Sequence, residues 1–392
     1  MTTRNARPFL IMTALPLVAS IALPAGAVAI NDNLDIGGAV RARVDIDPDR
    51  NIDKLSFDTA FITATYTSDS WIGAAKYRFY GDAYPYQYTQ EVGDISFAEY
   101  AWVGYKFDAA GEIHAGLNKI PFGLQPYIGS TFFQSLGNVI GIEDIQNLGV
   151  KYIHQQDDWN LQLGYYLSPA DQGQGTSRGG RTYSTSVATA DDYVVDGSDN
   201  HEHDIFVARL AHNVALGPWQ SEIGASLLSS TLENQDTRDS GRRNALAAHY
   251  MGKNGPWGIQ LQATRQVMSP DNPGRDDLVS FGSFDGTFNV AAKGNLYVAD
   301  LSYDIAGNFG WVSGVKVYGN YSLFDKDKAR FEDSQRFILG TSFSVKDLWI
   351  AVEWLHGKHD PYIGGGSYTQ SLGEGGSDRW ENQLYANIGY YF

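Results

Sequence analysis

Gln383-Leu384-Tyr385-Ala386-Asn387-Ile388-Gly389-Tyr390-Tyr391-Phe392 is the stretch on which the reading of this chain turns. Leu384, Ala386, Ile388, Tyr390 and Phe392 alternate with Gln383, Tyr385, Asn387, Gly389 and Tyr391. A period of two puts one set on each face of a β-strand. The pattern recurs upstream. Leu34, Ile36, Val40, Ala42, Val44 and Ile46 stand opposite Asp35, Arg41, Arg43 and Asp45. Trp159, Leu161, Leu163, Tyr165 and Leu167 alternate with Asn160, Gln162, Gly164, Tyr166 and Ser168, and Val315, Val317, Tyr321 and Leu323 with Lys316, Tyr318, Asn320 and Ser322. No window offers a convincing helical period.

Carried along the chain, the alternation predicts sixteen strands, near 34–46, 53–67, 70–82, 94–107, 111–119, 147–156, 158–168, 203–214, 219–231, 242–252, 257–268, 294–305, 313–324, 334–345, 348–357 and 379–392. Phe281 and Phe284 offer another short strand, but are assigned to a loop. Seven links are short, among them Thr67 to Ser70, Gln156 to Asp158, Leu216 to Pro218 and Lys346-Asp347. They alternate strictly with eight mostly longer ones, among which 120–146, 169–202 and 269–293 are long. A soluble sandwich has no reason to sort its links this way. A transmembrane antiparallel up-and-down β-barrel does, with short turns at one end and longer loops at the other. An even strand number then puts both chain ends on the short-turn side.

Composition fits that expectation. The 392 residues include 43 Gly, 24 Tyr, 19 Phe and 9 Trp, 19% are charged, and mean hydropathy is −0.29. A helical membrane protein is more apolar, and a disordered chain is poorer in aromatics. In a barrel one strand face meets lipid and the other meets water, so half of each strand can be polar at no buried cost. Trp71, Trp159, Trp219 and Trp257 all fall just after short turns, where an interfacial aromatic girdle belongs. There is no Cys, hence no disulfide, thiolate metal site or Cys nucleophile. A net charge of −16 argues against nucleic acid as partner.

The first residues read as an address. Arg4 and Arg7 precede a mostly apolar run, Phe9 to Leu23, and small residues follow. This predicts a signal peptide over 1–29, cleaved after Ala27 or Ala29, ahead of one barrel domain over 30–392. Pro16, Pro24 and Gly26 interrupt the run and no stop-transfer charges follow, which disfavours a membrane anchor.

Two motifs carry a resemblance. The run from Leu384 to Phe392 resembles the last strand of Gram-negative outer-membrane proteins, which ends in an aromatic residue and serves as a signal for the barrel-assembly machinery. The resemblance assigns that role to Phe392, Tyr390 and Ile388. Asn118-Lys119-Ile120-Pro121-Phe122-Gly123 closes the fifth strand. It is similar to the Pro-Phe-Gly run of general and phosphate-selective porins, which opens a long third loop that folds into the lumen and narrows the pore. Together they imply a sixteen-stranded outer-membrane porin, packed as a homotrimer and passing small polar solutes or ions without a cofactor. No ladder of loop arginines supports phosphate as the solute.

In such a pore, selectivity comes from width and from charge at the constriction. The third loop carries Glu143 and Asp144 as its acids. Arg41, Arg43, Lys76, Arg78, Lys119 and Lys151 are the candidate wall bases. Acids on the loop facing bases on the wall set up a field across the pore; the bland alternative is that wall charges only solvate the lumen. The acids Asp191, Asp192, Asp196, Asp199, Glu202 and Asp204, and Asp271, Asp276, Asp277 and Asp285, fall in outer loops. They are solvated charge or, less favoured, sites for divalent ions bridging lipopolysaccharide. His201-Glu202-His203-Asp204 offers two imidazoles on one strand face, but no spacing fixes a third ligand, so no metal is expected. A lipid-modifying barrel enzyme and a non-conducting adhesion barrel stand as the other classes.

Overall fold

The computed structural model describes residues 28–81, 90–108 and 110–392. The expected leader up to Ala27 lies outside the described residues. Sixteen strands form the main ring, numbered here in chain order. They are β1 (Leu34–Asp47), β2 (Ile52–Thr67), β3 (Trp71–Tyr80), β4 (Ile95–Lys106), β5 (Gly111–Lys119), β6 (Gln146–Gln156), β7 (Trp159–Pro169) and β8 (Asn200–Leu216), followed by β9 (Trp219–Asn234), β10 (Ser240–Asn254), β11 (Trp257–Ser269), β12 (Lys293–Asp304), β13 (Val312–Lys326), β14 (Ser334–Val345), β15 (Leu348–Lys358) and β16 (Glu381–Tyr391). Each pairs antiparallel with its neighbours in sequence, and β16 returns to β1 through Ala39↔Tyr391 to Ile46↔Leu384. The sheet is a closed all-β barrel, so its ladder has no edge. Phe392 completes the seam, with Gly38 N–H donating to its carbonyl at 2.7 Å and its own N–H donating back at 3.0 Å. A Cβ on Gly38 would lie 2.5 Å from the Phe61 carbonyl oxygen and 2.9 Å from the Phe392 ring, so the seam needs glycine there. A short strand not expected from sequence, Val28–Asn31, folds back onto the start of β1.

Burial inverts the soluble pattern. Val40 is 49% exposed and the neighbouring Arg41 only 8%. Leu246, Leu339 and Tyr390 likewise face out, while Arg243, Arg336 and Asn387 are buried. Period two thus sorts apolar side chains to the outer surface and polar ones to the lumen. Trp71, Trp159, Trp219 and Trp257 each open a strand just after a turn. Three stack or pack edge-on across the ladder: Trp71 on Tyr105 at 5.0 Å, Trp159 on His212 at 4.2 Å and Trp257 on Tyr303 at 4.7 Å. Among the described residues no helix is long and apolar enough to cross a membrane, which has no bearing on strands.

The inner wall is not polar all round. Along β8 to β13 the inward positions Val207, Leu228, Leu296, Val298 and Phe324 are buried. They join one apolar cluster with Phe122, Leu136, Ile140, Phe281, Phe288 and Leu372 from the long connections. Part of it is a second, three-stranded sheet of Ser186–Val187, Leu278–Ser283 and Gly286–Ala291. Here the loop assignment of Phe281 needs correcting, because Phe281 is in a strand; Phe284 does sit outside one, in the two-residue turn beside it. Phe284 and Asp285 both have positive φ, 59° and 113°, as a tight hairpin turn of this twist requires. Every residue of both strands is buried, so no alternation marks them in the sequence.

Candidate functional site

The wall of β1 to β4 carries the basic residues. Arg41, Arg43 and Asp45 share the inward phase of β1, and Lys76, Arg78 and Tyr80 that of β3. Two β-bulges insert acids between them. On β2, Thr59 pairs with Arg41 and Phe57 with Ala42, leaving Asp58 as the extra residue. On β4, Tyr100 pairs with Lys76 and Ala98 with Tyr77, leaving Glu99 as the extra residue. A bulge re-aims one side chain without disturbing the rest of the strand, and both carboxylates end up buried on the lumen side.

The ion pairs follow from that placement. Asp58 holds Arg41 Nη2 at 2.9 Å, and Asp45 holds Arg43 through Nε and Nη2 at 2.6 and 2.8 Å. Glu99 takes Lys76 Nζ at 2.9 Å and also pairs with Arg78 Nε. From β16, Gln383 donates to Asp45 at 2.6 Å and Asn387 to Asp58 at 3.0 Å. Four bases meet three acids, so the wall keeps one positive charge in excess. Phe61 lies among the cations, its ring centre 4.2 Å from Lys76 Nζ and 5.4 Å from the Arg78 guanidinium.

Opposite stands the connection between β5 and β6, whose hydrogen bonds run to inward-phase side chains of the far strands. Gly123 N–H donates to Ser226 Oγ at 3.0 Å and Leu124 N–H to Gln262 Oε1 at 2.8 Å. Ser130 gives its N–H and Oγ–H to Asp300 at 3.0 and 2.9 Å. Phe132 and Phe133 give their N–H groups to Glu353 at 2.6 and 2.9 Å. Arg209 donates to the Gly123 carbonyl at 2.8 Å, Arg243 to Gly141 at 2.6 Å, and Arg336 to Gln134 and Ser135 at 3.1 and 3.2 Å. Partners on β8 to β15 mean that the segment crosses the ring as a chord. Gly123, the last residue of the Pro-Phe-Gly run, has φ +63°, and its Cβ would lie 2.3 Å from Gln262 Oε1. Asp300, Glu353, Gln262 and Ser226 are anchors that sequence reasoning missed. Their inward phase was legible, but nothing in a strand pattern names a loop partner.

Glu143 is turned into the loop, whereas Asp144 pairs with Lys119 at its root. The Glu143 carboxylate accepts from Ile128 N–H at 2.8 Å and from Ser135 Oγ at 2.5 Å, bracing the loop from within. Burial pushes its carboxyl up to about 7, against the pull of those two bonds. Asp144 pairs with Lys119, accepts from the Tyr183 hydroxyl and takes Gln134 Nε2 at 3.2 Å. Lys119 also donates to Pro126 at 2.9 Å, and Lys151 donates to the Lys119 carbonyl at 3.0 Å. Of the six candidate bases, Arg41, Arg43, Lys76 and Arg78 therefore form one group, and Lys119 and Lys151 another at the root of the loop.

Between the basic wall and the loop lies a cavity of about 200 Å³. Arg41, Arg43, Arg78 and Arg336 reach it, and so do the rings of Phe132, Phe133, Tyr183, Phe284 and Tyr385. Arg336 is held by Asp360 at 2.7 and 2.9 Å. A larger cavity of about 800 Å³ opens at the loop end, lined by Arg275, Lys293, Lys328 and Arg330 and by Asp276, Asp277, Asp327 and Glu374. There Arg275 binds Asp196, Asp277 and Glu374 at 2.8, 3.0 and 2.7 Å, joining three connections. Burial alone would raise Asp277, but Arg275, Arg330 and Lys328 hold it below the usual carboxylate range.

Asp191 is taken up internally, accepting from Ser177, Arg178 and Thr287, whereas Asp192, Asp271 and Asp276 are exposed. In the His201–Asp204 run, Glu202 points inward to Arg243, while His203 binds Asp204 at 2.8 Å. Glu332, His359 and Asp378 come within metal-binding distance of one another. Their chemistry does not suit a metal. His359 Nδ1 accepts from Gly376 N–H at 2.8 Å, so Nε2 carries the ring proton, and Lys358 already takes Asp378 at 2.6 Å.

No protein-family model matches the sequence, and no curated protein matches it either. Solved structures do. OmpF of Salmonella typhi in complex with daunomycin superposes with a TM-score of 0.59 at 14% identity, covering 93% of this chain and 100% of that one. The outer membrane channel DcaP of Acinetobacter baumannii gives 0.58 at 14% identity, covering 92% and 97%. An anion-selective porin from Comamonas acidovorans gives 0.54 at 13% identity, covering 92% and 99%. The chain has the fold of the sixteen-stranded outer-membrane porins.

Proposed function

We propose that this chain is a passive-diffusion channel of the Gram-negative outer membrane for small hydrophilic solutes and ions, and not an enzyme. The observation that carries the reading is the closed ring with an apolar outer phase, together with a lumen cavity beside a wall that has one positive charge in excess. Charge of that sign at a constriction favours anions. The paired carboxylates along the wall serve to hold arginines in place. The expected leader, recognition of Phe392, Tyr390 and Ile388 by the assembly machinery, contact with lipopolysaccharide and homotrimeric packing belong to the same proposal. Cross-linking in native membranes tests the trimer, and monomers alone would remove it.

Purified protein in a planar bilayer should give stepwise conductance, with a reversal potential on the anion side in a potassium chloride gradient. A second reading, a non-conducting barrel, is favoured by one observation: the apolar cluster that the connections build against β8 to β13. It predicts a folded, inserted protein without conductance steps.

A further inference from the structure

We propose that the cavity on the basic wall selects planar aromatic anions, of which an aromatic monocarboxylate is the simplest. The inference deepens the channel reading and rests on it. What faces the basic wall from the loop is π surface. Glu143 and Asp144 are bound within the loop or at its root, and Phe132 and Phe133 stand where a transverse field would need acids. The Arg41 guanidinium lies 5.1 Å from the Phe132 ring centre, Arg43 4.9 Å from Tyr385, Arg78 4.7 Å from Tyr183 and Arg336 5.0 Å from Phe133. Cation planes and ring faces therefore share one small space.

Two features say what would fill it. The cavity is lined by four guanidinium groups and by one carboxylate, Asp58, which calls for an anion. Arg41 is more than nine-tenths buried and its Nε has no hydrogen-bond partner, while its Nη2 is held by Asp58. An unpaired guanidinium N–H inside the protein is costly, and a carboxylate oxygen is its natural complement. The rings then discriminate among carboxylates. A flat π system gains offset or edge contact with Phe132 and Tyr385 and stacking on the guanidinium plane, whereas a saturated ring of similar size gains only apolar contact. Neutral aromatics lack the group that answers Arg41, and aromatic cations are repelled.

The test uses the full-length protein, first in planar bilayers. Block of potassium chloride current is titrated with benzoate, with cyclohexanecarboxylate (same charge, no π face) and with benzyl alcohol (ring, no charge). Benzoate should reach half-block at a concentration at least fivefold lower than either. Arg41→Gln should bring benzoate and benzyl alcohol close to parity, and Phe132→Leu should bring benzoate and cyclohexanecarboxylate together. Calorimetric titration of the detergent-solubilised protein with benzoate gives a readout that needs no conduction. Steady conductance with equal block by all three compounds overturns this inference and leaves the channel reading intact. Benzoate binding without any conductance overturns the channel reading and leaves the selectivity of the cavity standing. Neither conductance nor binding removes both.

Discussion

At Asp144 one buried carboxylate serves Lys119, Tyr183 and Gln134 together. Asp144→Asn keeps the shape and removes the charge, leaving the Lys119 ammonium unneutralised near the pore. Reversal potential should move toward anions; an unmoved value places Lys119 outside the conduction path. Glu143 behaves differently, because its charge is turned into the loop. Burial raises its carboxyl from the ordinary 4.5 to about 7, so the folded state prefers the protonated form. The sign follows from linkage: stability is greatest below about 4.5 and falls as pH rises toward 7, by at most on the order of 3 kcal/mol. In Glu143→Gln the heat-unfolding temperature should lose that slope while ion preference stays put. The contrast between these neighbours was not legible in the sequence. In a strand, position alone fixes the face, which is why Arg41, Arg43, Lys76 and Arg78 could be grouped from alternation. In the loop, Asp144 has φ +57° and its neighbours follow no period, so two adjacent acids point to unrelated partners.

Among elements, the strands were the legible part, and for a physical reason. Lipid on one side and a polar lumen on the other write themselves into every second residue. The hairpin Leu278–Ser283 with Gly286–Ala291 escaped because it is enclosed by other protein on both faces. The connection between β5 and β6 was legible as a long link after Pro121-Phe122-Gly123, but not as a chord with particular anchors. Its hold on the far wall depends on two carboxylates, Asp300 and Glu353. Hydrogen bonds to charged groups contribute about 1.5–3 kcal/mol each, so Asp300→Ala combined with Glu353→Ala should loosen the segment while leaving the ladder closed. The expected readout is greater single-channel current noise and faster protease cleavage between 120 and 145. A variant as quiet and as resistant as the parent would show that the apolar cluster alone holds the chord.

Across the whole molecule, the loop end is drawn together at Arg275, which ties Asp196, Asp277 and Glu374. Arg275→Ala should free the connections around it and raise conductance. Acid should act in the same direction. The depressed Asp277 carboxyl supports the clasp above the ordinary carboxylate range, and that support is lost as pH falls through its lowered value. Current that is insensitive to both changes would make the clasp irrelevant to flow. The two bulged acids bear on the molecule differently. Asp58 and Glu99 are supernumerary: Thr59 and Phe57 already meet consecutive residues of β1, and Tyr100 and Ala98 consecutive residues of β3. Deleting either codon would restore an unbroken ladder with every other side chain still on its own face. The polarity of the pore is thus open to evolution by insertion and deletion as well as by substitution, one codon at a time, without the lipid-facing surface registering the edit.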